Sequence, residues 1–412
     1  MRLVLILILI LSNKIYSQIT PTTQGIYFKK SSSVSDESFV LDFDNDDDCT
    51  SGCGTSFYGE INWSRNMSEY TVSIWVKSGE DNPTEWRAFF NTYTGPGNGF
   101  QMDSGGSTNY RLNAHAGVTS FGANSLKTTW VHLAVVAGSS QTKLYYNGVL
   151  VSTHNWVETD WNQIEIGRNR NQDRPGNYFV DEIRVWDVAL SQSNIQSWMH
   201  KPLSSSHPNY SDLEVYFQMN SNSISGGNTL VDMSGKNNDA TLYNVSGIQT
   251  SSSNVPVTDL ISSYQTDVES IWSSTETSDS EDSDGLKMSV SSTLAEANFV
   301  IFGNNNDNSG TTSSDIVGIS KRSKREWHFD ESGTVTADVK IDISDATGHT
   351  GSTSAASNYK LLYASCSGCT FVELDTGDST SGDVVTFSNV AIKDGIYAIV
   401  SADSNLEFFL YL

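Results

Sequence analysis

The stretch Tyr178–Ser191 (YFVDEIRVWDVALS) constrains the fold more than any other part of the chain. Read with a period of two, Phe179, Asp181, Ile183, Val185 and Asp187 share one face, and Val180, Glu182, Arg184 and Trp186 share the other. Alternation of this kind belongs to a strand half-buried in a sheet. It places Asp181 beside Ile183 and Val185, on the face expected to meet the core. A carboxylate turned inward is costly unless it is hydrogen-bonded or bound to a cation. Asp181 is therefore the most informative acidic residue in the chain. Ser191 is positioned to cap a helical turn over residues 192–199.

Upstream pieces repeat the period of two. In Tyr70–Lys77, Val72, Ile74 and Val76 alternate with Ser73, Trp75 and Lys77, with Trp75 expected in the core. Trp130–Val136 gives another strand, whose His132 reads as a satisfied structural residue. Lys143–Thr153 reads as two strands around Asn147-Gly148, a pair suited to a type I′ hairpin turn. Phe39–Asp48 (FVLDFDNDDD) is a strand that runs into an acidic loop. Oxygen donors at this density suit a hard cation, and calcium takes several of them. The loop is not an EF-hand: Asp47 stands where the turn glycine belongs, and Cys53 where the bidentate glutamate belongs.

These pieces, in this order, resemble the LamG-like jelly-roll domains, the concanavalin A-like and pentraxin-related sandwiches. In that family aromatic-x-aliphatic-Asp-Glu-aliphatic-Arg-aliphatic-Trp marks the last signature strand. Leu213–Phe217 and Asp232–Tyr243 resemble the tail of the same family. The resemblance implies an all-β fold, an N-terminal jelly roll of two antiparallel sheets over residues 18–246. It also implies a structural Ca²⁺ where the first and last signature strands meet, with Asp44, Asn45, Asp46, Asp47, Asp48 and Asp181 as ligands. Asn45 replaces the family's glycine, and the insertion Asp46–Tyr58 departs from the family pattern. Residues 247–256 read as a Ser/Asn linker. Residues 257–412 carry some seven short β runs between Gly/Ser/Asp turns, among them the cleanly alternating Thr334–Ser344. This suggests a smaller C-terminal β-sandwich, with a looser resemblance to β-rich modules of exported bacterial proteins.

Residues 1–17 read as a secretory signal, with Arg2, the apolar run Leu3–Leu11 and a small residue at Ser17. The expected location is therefore secreted or at the cell surface. The apolar run is too short to span a bilayer, and no later segment approaches membrane length. A net charge of −24 repels phosphate backbones, which excludes nucleic acid as a partner. The four cysteines form two local pairs, Cys49/Cys53 and Cys366/Cys369, expected as disulfides in an exported chain rather than as a zinc site.

The fold implied by the resemblance also carries glycoside hydrolases, which need two carboxyl groups flanking the scissile bond. The Glu-x-Asp-x-(x)-Glu string that supplies them on one strand is missing, and no nucleophile elbow, zinc helix or phosphate loop occurs. The expectation is a non-enzymatic binding or adhesion protein whose partner is a glycan or a surface protein. Sugars are held by flat aromatic stacking with Asn, Asp and Arg hydrogen bonds. The rim candidates are Trp63, Trp86, Tyr93, Asn98, Trp156, Trp161, Arg168, Asn169 and Arg170. Two alternatives stay open at this point: a secreted carbohydrate-active enzyme with catalytic groups on different strands, and a structural surface protein without a glycan ligand.

Overall fold

The computed structural model describes residues 39–43, 58–79, 86–94, 99–172, 176–219, 224–225, 227–244, 250–252, 254–258, 260–273, 281–317, 321–348 and 353–401; residues 39–43, 224, 250–252 and 281–282 are described by backbone alone. Two antiparallel sheets face each other in the first domain. The front sheet runs in the strand order 149–154, 142–146, 131–137, 70–78, 178–186, 39–43 and 250–252, with 213–217 also paired to 178–186. The back sheet runs 224–225, 229–230, 240–243, 58–61, 164–166, 88–91, 100–103, 111–114 and 118–120. Between them lies a core that takes Val72, Ile74 and Val76 from one strand and alternate residues from other strands of both sheets, such as Leu133, Val135, Ile166 and Leu112.

Local chemistry sets much of this. Asn147 and Gly148 both adopt positive φ, 47° and 75°, and close the expected hairpin between strands Thr142–Tyr146 and Val149–His154. Ser191 caps the helix Gln192–Met199, its hydroxyl accepting from the Asn194 N–H at 3.1 Å. Asp232, in the tail segment, accepts from the backbone N–H groups of Tyr216, Ser234 and Asn238, each at 2.9 Å. That carboxylate staples its loop to the strand Leu213–Phe217. The segment read as linker supplies Thr250–Ser252, which pairs with Phe39–Leu41 at the edge of the front sheet.

The strand Tyr178–Trp186 departs from strict alternation. Val180 pairs with Val76 and Asp181 with Trp75, but the next pair is Arg184 with Ser73. One extra residue is therefore accommodated as a β-bulge, and Glu182 adopts the left-handed φ of 50°. Side-chain parity reverses at this point. Tyr178 and Val180 before the bulge, and Ile183 and Val185 after it, all enter the core. Phe179 and Trp186 pack outside the sandwich. Asp181 alternates with Val180 and so lies on the outer face, not on the core face that strict alternation predicts. It is buried there, and its Oδ1 accepts from the Glu182 N–H at 2.7 Å.

A buried ion pair holds the bulge. Glu182 accepts from Arg184 Nε at 3.0 Å and from the Tyr216 hydroxyl at 2.9 Å. Arg184 donates onward to the carbonyls of Trp198 at 2.8 Å and Lys201 at 2.6 Å. Those carbonyls lie at the C-terminal end of the helix, where a cation is favoured by the helix dipole. The DEIR segment thus docks the helix onto the outer face of the front sheet.

The second domain is a sandwich of a six-stranded sheet (266–271, 299–304, 327–332, 395–401, 359–364, 372–376) and a five-stranded one (281–283, 286–289, 336–342, 384–391, 379–381). The alternation read in Thr334–Ser344 turns Val335, Ala337, Val339, Ile341 and Ile343 into its core. A disulfide joins Cys366 to Cys369, as expected, with the Cα atoms 5.2 Å apart. The two domains share a buried cluster in which Trp75, Trp130 and Met199 meet Leu260, Val268, Trp272 and Ile301. Trp75 is buried, but in this contact rather than in the sandwich core. Trp272 donates its indole N–H to the Trp130 carbonyl at 3.1 Å. His200 bridges the Pro256 carbonyl and the Ser270 hydroxyl at 2.8 and 2.7 Å, and burial pushes its pKa down to about 4. Among the described residues no helix is long and apolar enough to cross a membrane.

Truncating Trp272, packed against Trp75 and His200, empties the centre of this contact. Trp272→Ala is expected to cost about 3–5 kcal/mol and to split a single calorimetric unfolding transition into two.

Candidate functional site

The outer face of the back sheet carries a row of polar side chains in register. Glu60 pairs with Glu165, Glu165 with Asn91, Asn91 with Gln101, and Gln101 with Asn113. Their strand neighbours Ile61, Ile164, Ile166, Phe100, Met102 and Leu112 all enter the core, so period-two alternation turns the row outward. Beside it on the same face stand Tyr58 and Tyr243, register partners whose rings stack 4.7 Å apart at 13°. From the 240–243 strand to the 111–114 strand there are five strand spacings, roughly 24 Å.

A loop covers the middle of the row. Gly167, at φ 92°, takes the positive φ that turns the chain back over the sheet. The Arg168 carbonyl accepts from Asn91 at 3.0 Å, and the Arg170 N–H donates to Gln101 Oε1 at 3.2 Å. Asn169 Oδ1 accepts from the Asn171 N–H at 3.0 Å and shapes the loop from inside. Glu165, Asn91, Gln101 and Asn169 are consequently buried, whereas Arg168 and Arg170 are partly buried and reach the surface, one to each side.

On one side Arg168 Nε donates to Glu165 Oε1 at 2.8 Å and Nη2 to Glu60 Oε2 at 3.3 Å. Its guanidinium lies 3.3 Å from the centre of the Tyr58 ring. Burial raises the Glu165 carboxyl above the usual range, and hydrogen bonds from Asn91 and Arg168 act against that rise. On the other side Arg170 donates to the Tyr93 hydroxyl and to Asn113 Oδ1, the latter at 3.3 Å. Burial also raises the Tyr93 phenol, with Arg170 opposing. Asp103 closes this end, held by Arg111 at 2.9 Å and Gln101 at 2.6 Å.

The fold therefore brings together Tyr93, Arg168, Asn169 and Arg170 from the sequence candidates. Trp86 is exposed, but it precedes the strand Ala88–Asn91 and sits at the opposite end from Tyr93. Trp156 is half-buried, stacks on His154 at 5.5 Å and packs against the sandwich core. Trp161 is no platform: it is 1 % exposed and packs in the core on Tyr70 and Phe100. Its two-residue strand turns Asp160 out and Trp161 in, which the polar neighbours in sequence concealed. Trp63 is likewise buried. Asn98, Cys49, Cys53 and Asp44–Asp48 lie outside the described residues.

Of the residues expected to share a cation, only Asp181 lies among the described ones. Its carboxylate is engaged at the bulge on the outer face. The register also pairs Phe43 with Tyr178, three residues short of Asp181, as the first strand ends. Among the described residues no group of three or more His, Cys, Asp or Glu is arranged to hold a metal ion. The sequence reading missed Tyr58, Glu60, Asn113 and Tyr243. Their signal was the alternation in Tyr-Gly-Glu-Ile, Arg-Leu-Asn-Ala and Ala-Thr-Leu-Tyr, short strands with few apolar residues.

Residues 44–196 match the concanavalin A-like lectin/glucanases superfamily, and residues 262–396 match a domain of unknown function, DUF8202. Similar solved structures include a Bacteroides ovatus protein whose proposed role is carbohydrate binding, at 16% identity and TM-score 0.43 over 54% of this chain. This chain spans 61% of the length of that protein. The native heptameric SAP-like pentraxin of Limulus polyphemus is 16% identical, TM-score 0.32, covering 40% of this chain and 83% of its own. Domain 4 of an extracellular arabinanase from Geobacillus stearothermophilus, in complex with arabinotriose, is 21% identical, TM-score 0.26, over 32% of this chain and 66% of its own. No curated protein matches the sequence.

Removing Arg168 leaves the fully buried Glu165 with Asn91 alone. Arg168→Gln is expected to cost about 3 kcal/mol near neutral pH, as an unpaired buried charge does. A carboxyl whose folded pKa is raised contributes least once ionised. The loss should therefore shrink as pH falls below the ordinary glutamate range, where Glu165 is protonated, and urea unfolding at the two pH values checks this.

Proposed function

Starting from a concanavalin A-like jelly roll in the first domain, we propose that this is an exported, non-enzymatic glycan-binding protein. The observation that carries the reading is the outer face of the back sheet. The exposed Tyr243, stacked on a Tyr58 ring that Arg168 also covers, lies in line with two partly buried arginines and an asparagine on a strip some strands wide. Aromatic faces stack on the apolar faces of sugar rings, while planar donors and amides bond their hydroxyls. The strip is long enough for several sugar units, and its polar groups are pre-ordered by the loop 167–172, so little side-chain entropy is lost on binding.

The same geometry argues against hydrolysis. Glu60 and Glu165 are cross-strand partners on this face, where two carboxyl groups of the strip come close. A single nitrogen of Arg168 bonds both, and the guanidinium fills the space a glycosidic oxygen would need. The second domain, buried against the far side of the front sheet, leaves this face open and serves in this reading as a spacer.

Affinity electrophoresis against a panel of plant and algal polysaccharides tests it. At least one should retard the protein. Tyr243→Ala should weaken that binding about fivefold to tenfold, from the ~1–1.5 kcal/mol an aromatic contact of this kind contributes. No reducing ends should appear on prolonged incubation. Unchanged binding after Tyr243→Ala would move the site elsewhere, and release of reducing ends would make the protein an enzyme.

A further inference from the structure

We infer that the saccharide is acidic and that Arg170 takes its carboxylate, an inference that rests on the glycan-binding reading of this face. With 48 Asp and Glu against 24 Lys and Arg, an arginine in this chain meets a carboxylate almost by default. Arg65 holds Glu214, Arg111 holds Asp103, Arg168 holds Glu165, Arg184 holds Glu182, Arg322 holds Glu326 and Arg325 holds Asp284. Arg170 has no carboxylate partner among the described residues. Its bonds go to two neutral acceptors, the Tyr93 hydroxyl and Asn113 Oδ1, with the Tyr93 ring centre 5.5 Å from the guanidinium.

Neutral partners fix the side chain, and no described carboxylate forms an ion pair with it. Of the acidic groups that act on Tyr93, Asp103 is already engaged by Arg111, Gln101 and Asn113, and Glu158 accepts from the Ala116 N–H. Half-buried and held from one edge, the guanidinium keeps N–H groups for an incoming anion, and its planar fork matches a carboxylate better than a point-charge cation does. It also stands across the loop from the Tyr58/Tyr243 stack. A chain that lays one ring on the exposed Tyr243 therefore reaches Arg170 with a ring further along. The protein's net charge of −24 repels a dense polyanion at long range, so the fit is to an oligosaccharide with spaced carboxylates. At physiological salt that repulsion is screened beyond about 8 Å, whereas the contact at Arg170 is not.

A glycan array holding neutral, carboxylated and sulfated members of matched length, probed with the full chain in physiological salt, tests this. The expected result is preferential binding of carboxylated members, lost at least tenfold in Arg170→Gln at an unchanged melting temperature. Arg170→Lys, which keeps the charge without the fork, should retain part of the preference. It stands in as the readout if the glutamine variant does not fold. Binding to neutral or sulfated members only, or carboxylate binding untouched by either substitution, would overturn the assignment while leaving glycan binding intact. Binding to no member would remove the glycan reading itself, and this inference with it.

Discussion

The buried contact between Glu182 and Arg184 is the constraint on which the rest of this molecule is arranged. An ion pair taken out of water loses hydration worth several kcal/mol for each charge, and holds only if its remaining donors and acceptors are satisfied. Here they are: Tyr216 donates to the carboxylate, and the carbonyls of Trp198 and Lys201 accept from the guanidinium. The pair spans a bulge whose central residue has the left-handed φ of 50°, and Asp181 caps the backbone N–H there. Because the bulge reverses parity, one strand feeds the sandwich core at both ends and still presents Phe179, Arg184 and Trp186 outward.

That reversal divides the labour between the two sheets. The outer face of the front sheet is taken up by structure, first the helix Gln192–Met199 and then the second domain, through Trp75, Trp130, Trp272 and His200. Lys77 adds an ion pair to Glu296 across the same contact. The outer face of the back sheet stays polar and open, with one loop laid over its middle. Charge on that face is mostly neutralised in place, with Arg168 against Glu165 and Glu60 and Arg111 against Asp103. Arg170, bonded to neutral groups, breaks the pattern, and the reading of a ligand with its own negative charge follows from that imbalance.

Much of the architecture was legible in the sequence wherever local chemistry decides it. Asn147-Gly148 dictates its turn, Ser191 its cap, and the alternation in Tyr70–Lys77 and Thr334–Ser344 the core faces of both sandwiches. What was not legible depends on partners remote in sequence. The bulge at Glu182 is invisible to a period of two, so Asp181 was read on the wrong face. Trp75 looks like any core tryptophan until the second domain supplies Trp272 to meet it. Trp161 sits among polar residues yet points inward because its short strand pairs with Arg65–Asn66. Tyr58 and Tyr243 become a stack only when strands 182 residues apart in numbering, from 58–61 to 240–243, lie side by side.

A double-mutant cycle between Glu182 and Arg184 tests the central claim most directly. Urea unfolding of Glu182→Gln, Arg184→Met and the double variant gives the coupling free of the cost of each truncation. The structure predicts a coupling of about 2–3 kcal/mol, with the double variant more stable than the sum of the single losses implies. Additive losses, with coupling near zero, would mean that the two charges do not depend on one another and that something else holds the bulge.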